Sequence, residues 1–275
     1  MSKIAAADIN KLRKQTGAGM VDCKRALIES NGDFDAAVDV LRKKGQKIAA
    51  KRADRTAAEG VVIAATNSEK SRGVIISLNC ETDFVAKNSD FISLANNILV
   101  NSIDKNISNN DDLQNMRLDD DMTVEQKIVQ QTGIIGEKLS VSIEIIDANS
   151  VISYIHPGNR LATIVGFNKE EKEDVMKDIA MQVAAMNPIA LDKDQVSEET
   201  IQRELTIAKD QAKQEGKPEE MLDKIAFGRL NKFFKENTLL NQPFIKDGKK
   251  TVSQYLKEQD QDFLVTEFRR IQLES

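Results

Sequence analysis

"GVIISLNCETDFVAKNSDFISLANNIL", residues 73–99, changes its periodicity partway along and carries an anomaly at the change. Its opening, "GVIISLNC", is an apolar, β-branched run of the kind that makes a buried strand. Its end, "SDFISLANNIL", reads as an amphipathic helix capped by Ser89. Between them stand Thr82, Asp83, Phe84 and Val85, an acid beside a large ring where polar turn residues are expected. Taken alone, Phe84 reads as a core residue, because large apolar side chains are usually buried.

The neighbouring sequence makes this stretch part of a repeated unit. "GVVIAAT" (60–66) and the first strand are joined by the polar "NSEKSR", a hairpin signal, and the helix of about 89–101 follows. A second hairpin is written in "VISYIH", the turn "PGN" and "RLATIVGF". It is followed by a helix bearing Val175, Ile179 and Val183 and closed by Pro188. Hairpin then helix thus occurs at roughly 60–101 and 151–187, which predicts two related subdomains and an α+β fold. Between them, residues 104–121 are polar and read as loop. Thr123-x-x-Gln126 resembles a capping box opening a helix with Val124, Ile128 and Val129. "KLSVSIEII" alternates over Leu139, Val141, Ile143 and Ile145 as a half-buried strand does.

The flanks are helical. In residues 1–55, Ile4, Ile9 and Leu12 mark a helix ended by Gly17. Met20, Cys23, Leu27 and Ile28 mark a second, and Asp33 caps a third that carries Phe34, Ala37, Val38 and Leu41, with Gly45 as its stop. "QKIAAKRADRTAAEG" follows, Ala-rich and basic, and reads as a linker, with a helix as the alternative. Near the other end, Ile201, Leu205, Ala208 and Ala212 form a narrow coiled-coil-like seam. "EGKP" (215–218) breaks it before a second run with Leu222, Ile225, Ala226 and Leu230, predicting an antiparallel helical hairpin. The tail reads as a turn, a short helix and a last strand in "FLVTEFRRI". The expected domains are 1–55, bundle and linker; 56–148, the first core subdomain; 149–196 with 238–275, the second; and 197–237, the hairpin inserted in it.

Composition narrows the function. The 275 residues are 40% hydrophobic and 30% charged, as in soluble globular proteins. The net charge of −5 and the absence of Trp argue against nucleic acid as the direct partner. Residues 1–55 nevertheless carry 13 Lys and Arg against 7 Asp and Glu, so the head is basic while the remainder carries −11. Two distant cysteines give neither a disulfide framework nor a zinc motif, and fit a reducing compartment. No apolar run is long enough to span a membrane, and no signal peptide is written, so a cytoplasmic location is expected.

Catalytic chemistry is hard to place. His156 is the only histidine and falls at the "PGN" turn. No phosphate-binding glycine loop exists; "TGAGMVD" (16–22) has Asp22 where a third glycine belongs and lies between helices. Asp119, Asp120 and Asp121 lack the spacing of a calcium loop. No cofactor or metal is expected, and the chain reads as a protein that works by touching another protein.

Two long motifs, "LRKQTGAGMVDCKRALIESNGDFDAAVDVLRKKG" (12–45) and "NCETDFVAKNSDF" (79–91), resemble the bacterial elongation factor Ts family. "IGEKLSV" (135–141), "SYIHPGNRLATIVGF" (153–167), "IAMQVAAMNP" (179–188), "QEGKPEEMLDKIAFGRLNKFF" (214–234) and "NQPFIKDGKKTV" (241–252) extend the resemblance in order. It implies a guanine-nucleotide exchange factor, not an enzyme, whose partner is the GTPase elongation factor Tu in a 1:1 or 2:2 complex. It also implies an N-terminal domain like ubiquitin-associated domains, two related α+β core subdomains and a protruding helical hairpin. The chain stops soon after "FLVTEFRRI", so the small C-terminal module of some members is expected to be short or missing. Gln182 stands where some members carry histidine and receives no role.

The resemblance implies that Thr82, Asp83, Phe84 and Val85 form a wedge, with Phe84 held out and aimed near the partner's nucleotide and magnesium site. It further implies partner contacts at Arg13, Met20, Lys24, Ile135, Gly136 and His156, and weaker ones at Phe244 and Ile245. Met20 also reads as helix core, and Phe244 with Ile245 as a plug at the base of the hairpin. Two other readings stand beside this one. The first is a docking or scaffold protein that leaves nucleotide exchange unchanged; the second is an enzyme using His156 on a small acidic substrate.

Overall fold

A computed structural model describes residues 4–119 and 122–274. The first three helices are α1 (Ala6–Thr16), α2 (Met20–Glu29) and α3 (Phe34–Arg52). Leu12, Cys23, Ala26, Leu27 and Ala37 make their shared core. Gly17 ends α1 in the left-handed region, and Asp33 caps α3 by accepting a hydrogen bond from the Ala36 N–H. The predicted stop at Gly45 does not occur: α3 runs on to Arg52, taking in much of the expected linker. Gly45 is instead a crossing point. A Cβ built on Gly133 would lie 2.5 Å from the Gly45 Cα, so two glycines let α3 approach the later helix over Val124–Ile135 at backbone distance.

The core strands are β1 (Glu59–Thr66) and β2 (Arg72–Cys80), followed by the single turn α4 (Asp83–Ala86) and α5 (Ser89–Asp104). The cap of α5 is Asn88, whose side chain accepts from the Asp90 N–H, so Ser89 is the first helical residue. Residues 104–121, predicted as loop, contain α6 (Asn110–Asn115), capped by Asn109, and β3 (Arg117–Asp119), which pairs with β4 (Met122–Thr123). Leu113, Met116 and Leu118 are buried, and burying them is what orders this polar stretch. The capping box at Thr123 and Gln126 forms as predicted and opens α7 (Val124–Ile135). β5 (Ser140–Asp147) completes a three-stranded sheet of order β1-β2-β5.

A second sheet has the order β10-β7-β6, from β6 (Ser150–Ile155), β7 (Leu161–Phe167) and β10 (Val265–Gln272). β6 and β7 are antiparallel, with Ile155 opposite Ala162 across the "PGN" turn. Against them packs α8 (Glu173–Met186), whose Val175, Ile179 and Val183 join Val165, Phe167 and Phe263 in one core. The left-handed Asn187 caps α8 just before Pro188. The helical hairpin is α9 (Glu198–Gln214) and α10 (Leu222–Asn237), with Ala208, Ala212, Leu222, Ala226 and Leu230 buried along its seam. The tail adds β8 (Pro243–Phe244), β9 (Asp247–Thr251) and α11 (Val252–Gln259) ahead of β10.

The chain divides into two compact units. One contains residues 1–63, 76–144 and 272–275; the other contains 64–75 and 145–271. The three-helix bundle therefore falls in the first and the helical hairpin in the second. Among the described residues no helix is long and apolar enough to cross a membrane.

Candidate functional site

The strand β2 delivers its last residue, Cys80, into the core, and the chain then turns through Glu81 and Thr82 into α4. On that single turn Ala86 is buried and Val85 half-buried, so α4 is anchored by its far side. Phe84 points the other way and is 84% exposed, the most exposed large hydrophobic side chain among the described residues. A ring left in water forgoes about 1.5–3 kcal/mol of burial.

The turn is held by charged groups. The Glu137 carboxylate accepts hydrogen bonds from the Glu81 N–H (3.1 Å), the Thr82 N–H (3.0 Å) and the Thr82 hydroxyl (2.7 Å). In return Glu81 accepts from the Lys138 N–H at 2.6 Å, and both its oxygens accept from the Arg52 Nη1, at 2.8 and 2.9 Å. The Lys138 backbone N–H, with Arg52 beside it, holds the Glu81 carboxyl below the usual glutamate range. Asp83 is paired with Lys87 at 2.6 Å, and that hydrogen bond lowers its pKa in the same direction. Beneath the turn, burial and then the nearby Glu137 charge push the Cys80 thiol up to about 12.

Alongside α4 runs a groove of about 670 Å³ whose apolar lining is Val85, Phe91, Leu94, Ile134 and Ile135, with Lys127 among its polar residues. Ile135 is the last residue of α7 and Gly136 is its left-handed cap, with φ of 82°. The same unit carries Arg13, exposed on α1, and Met20 and Lys24, exposed on α2. Met20 is 53% exposed, so its reading as helix core fails. Met20, Lys24 and Ile28 repeat every four residues along one exposed face of α2. The buried face of α2 belongs to Cys23, Ala26 and Leu27. Ile28, one of the apolar residues that mark this helix in the sequence, is 52% exposed and stands outside that face.

The remaining candidates lie in the second unit. His156 is exposed at the hairpin turn, where its Nδ1 lies 3.0 Å from the Tyr154 hydroxyl. Phe244 is buried and stacked on Tyr255, with ring centroids 4.0 Å apart, so its side chain is closed to a partner. Ile245 next to it is 42% exposed, and its N–H donates to the Gln182 Oε1 at 2.8 Å. Gln182, to which the sequence assigned nothing, is fully buried and also donates to Gln242 and to the Pro243 carbonyl. Gln242 in turn donates to the carbonyls of Met186 and Glu236, tying α8 to the foot of α10.

Glu81, Glu137 and Arg52 were not singled out by sequence reasoning. The one available signal was a carboxylate directly after the glycine that caps α7, within "IGEKLSV". Its target, two backbone N–H groups some fifty-five residues earlier, is set by the tertiary fold. Among the described residues no group of three or more His, Cys, Asp or Glu is placed to hold a metal ion.

A family model described as Elongation factor TS matches residues 81–275. A protein named Elongation factor Ts from Christiangramia forsetii is 52% identical over 99% of this chain and 100% of its own length. One of the same name from Amoebophilus asiaticus is 51% identical over 98% of each chain. Another from Flavobacterium psychrophilum is 47% identical over 99% of this chain and 100% of its own length. With the family model covering well over half of the chain and relatives matching it nearly end to end, this chain belongs to the elongation factor Ts family.

Proposed function

We propose that this protein is a cytoplasmic translation elongation factor that binds GDP-bound elongation factor Tu and accelerates GDP release by inserting the Asp83-Phe84 turn near the nucleotide and its magnesium ion. Membership of the family supports the exchange function. The single observation that carries the wedge is Phe84, 84% exposed on a turn whose entering backbone N–H groups are held by the Glu137 carboxylate.

The mechanism needs no covalent step. A GTPase holds GDP through backbone donors, a lysine and an octahedrally coordinated Mg²⁺ that tolerates little distortion. A ring entering between the partner's helices moves the elements that support this geometry. Asp83 brings a carboxylate to the same place once it exchanges Lys87 for partner groups. Coupling is reciprocal, so GDP and this protein weaken each other by the same factor. A thousandfold loosening requires about 4 kcal/mol, more than the roughly 1.5–3 kcal/mol from burying one ring. Other contacts must therefore hold the partner while it is distorted. Arg13, Met20, Lys24, Ile135, Gly136, His156 and Ile245 are the residues we assign to that hold.

Stopped-flow release of fluorescent GDP from elongation factor Tu tests this reading. Wild-type protein is expected to accelerate release strongly, and Phe84→Ala to lose most of that acceleration. Phe84→Ala should fold normally, since changes at exposed sites cost within about 0.5 kcal/mol. Equal acceleration by both proteins would remove the wedge. Binding without acceleration by wild type would replace exchange with docking.

A further inference from the structure

We infer that Glu137 is a positioning residue for the wedge: with Glu81 it forms a reciprocal carboxylate clamp that pre-aims Phe84 before the partner arrives. The inference rests on the wedge reading above.

Three observations carry it. First, Glu137 binds both backbone N–H groups that lead into α4, together with the Thr82 hydroxyl. Thr82 is the N-cap of α4, yet its side chain makes no capping bond to that helix. Its hydroxyl is committed to Glu137 instead. Second, the exchange is mutual: Glu81, from the wedge loop, binds the Lys138 N–H just after Glu137. Two segments that each supply a carboxylate and accept one in return resist both sliding and twisting. Third, the clamp is tied to a helix end. Arg52, the last residue of α3, forks onto Glu81, and the Lys138 ammonium donates to the Ala53 carbonyl at 2.6 Å.

A four-residue helix with an exposed ring has no internal means of holding direction, because it is shorter than any stable isolated helix. Its aim must come from outside. Charge-assisted hydrogen bonds to the backbone at its entrance supply it, so the ring is ordered before binding and less ordering remains for the complex to impose.

The test combines hydrogen exchange with a double-mutant cycle. In free Glu137→Ala, the amides of residues 81–86 should lose protection while the rest of the protein keeps it. The maximal rate of fluorescent GDP release from elongation factor Tu should fall about tenfold or more, with the half-saturating concentration changed far less. In a Phe84→Ala background, Glu137→Ala should have no further effect, because there is no ring left to aim. Glu137→Gln, which keeps the shape and one acceptor, should restore part of the rate. Thr82→Val, which removes one donor of the clamp, carries the same cycle if Glu137→Ala does not fold. Unchanged amide protection, a wild-type release rate, or the same loss in both backgrounds would overturn the clamp while leaving the wedge intact. A Phe84→Ala protein as fast as wild type would overturn the wedge, and this inference with it.

Discussion

At the residue scale, what matters is which groups meet water and which do not. Phe84 and Cys80 are four positions apart and lie at opposite extremes, one 84% exposed and the other fully buried. Cys80 donates to the Thr82 carbonyl at 3.2 Å, and burial with the neighbouring Glu137 charge keeps it protonated. Cys23 is buried too, and burial raises its pKa as well. Only the thiolate is nucleophilic, so neither cysteine should react with a chromogenic disulfide reagent at pH 8 until the protein is unfolded. Stoichiometric labelling of folded protein within seconds would contradict this assignment. Residue chemistry alone would have buried Phe84, as the same rule buries Phe91 and Phe167. The family motif "TDFV" pointed outwards, and the outward side chain emerges only when Val85 and Ala86 occupy the inner face of α4.

At the element scale, packing overrides local punctuation. A glycine after an apolar helical run signals a stop, and Gly45 reads that way; its role emerges only when Gly133 approaches from α7. The two glycines predict an asymmetric result. Gly133→Ala places a methyl 2.5 Å from the Gly45 Cα, which no rotamer relieves, and should cost about 1–3 kcal/mol despite alanine's better helix propensity. Gly45→Ala meets the Val129 carbonyl oxygen at an ordinary 3.5 Å and should be much milder. Urea unfolding midpoints of the two variants check both; equal losses would mean that the crossing does not depend on Gly133. The α6 segment shows the same lesson with opposite sign. Its residues look like polar loop, and burial of Leu113 and its neighbours makes a short helix of them.

At the scale of the whole molecule, buried polar groups hold distant parts of the chain in register. Gln182 on α8 and Gln242 after α10 are both fully buried, and together they bond four backbone groups and each other. Ile189 and Leu239 add backbone hydrogen bonds to Asn237 and Ala190, closing the foot of the helical hairpin. Gln182→Leu would leave the Gln242 side-chain oxygen unpaired in a dry site, at about 1–3 kcal/mol, and would also take away the acceptor of the part-buried Ile245 N–H. A clear fall in melting temperature is therefore expected, with faster hydrogen exchange at Ile245. A variant as stable as wild type would mean that this network is dispensable to the fold.

Elements whose causes are local were legible in the sequence. The capping box at Thr123, the left-handed stop at Gly17, the two strand hairpins and the paired seams of the helical hairpin each depend on residues within a few positions of one another. It also carried the family motifs, which span nearly the whole chain. Tertiary structure alone set that Gly45 is a crossing, that Met20 and Ile28 are surface, that Phe244 is buried, and that Glu137 grips Thr82. The reason is common to all four. Each depends on a partner many residues away, and periodicity reports which face of an element is apolar without naming what will cover it.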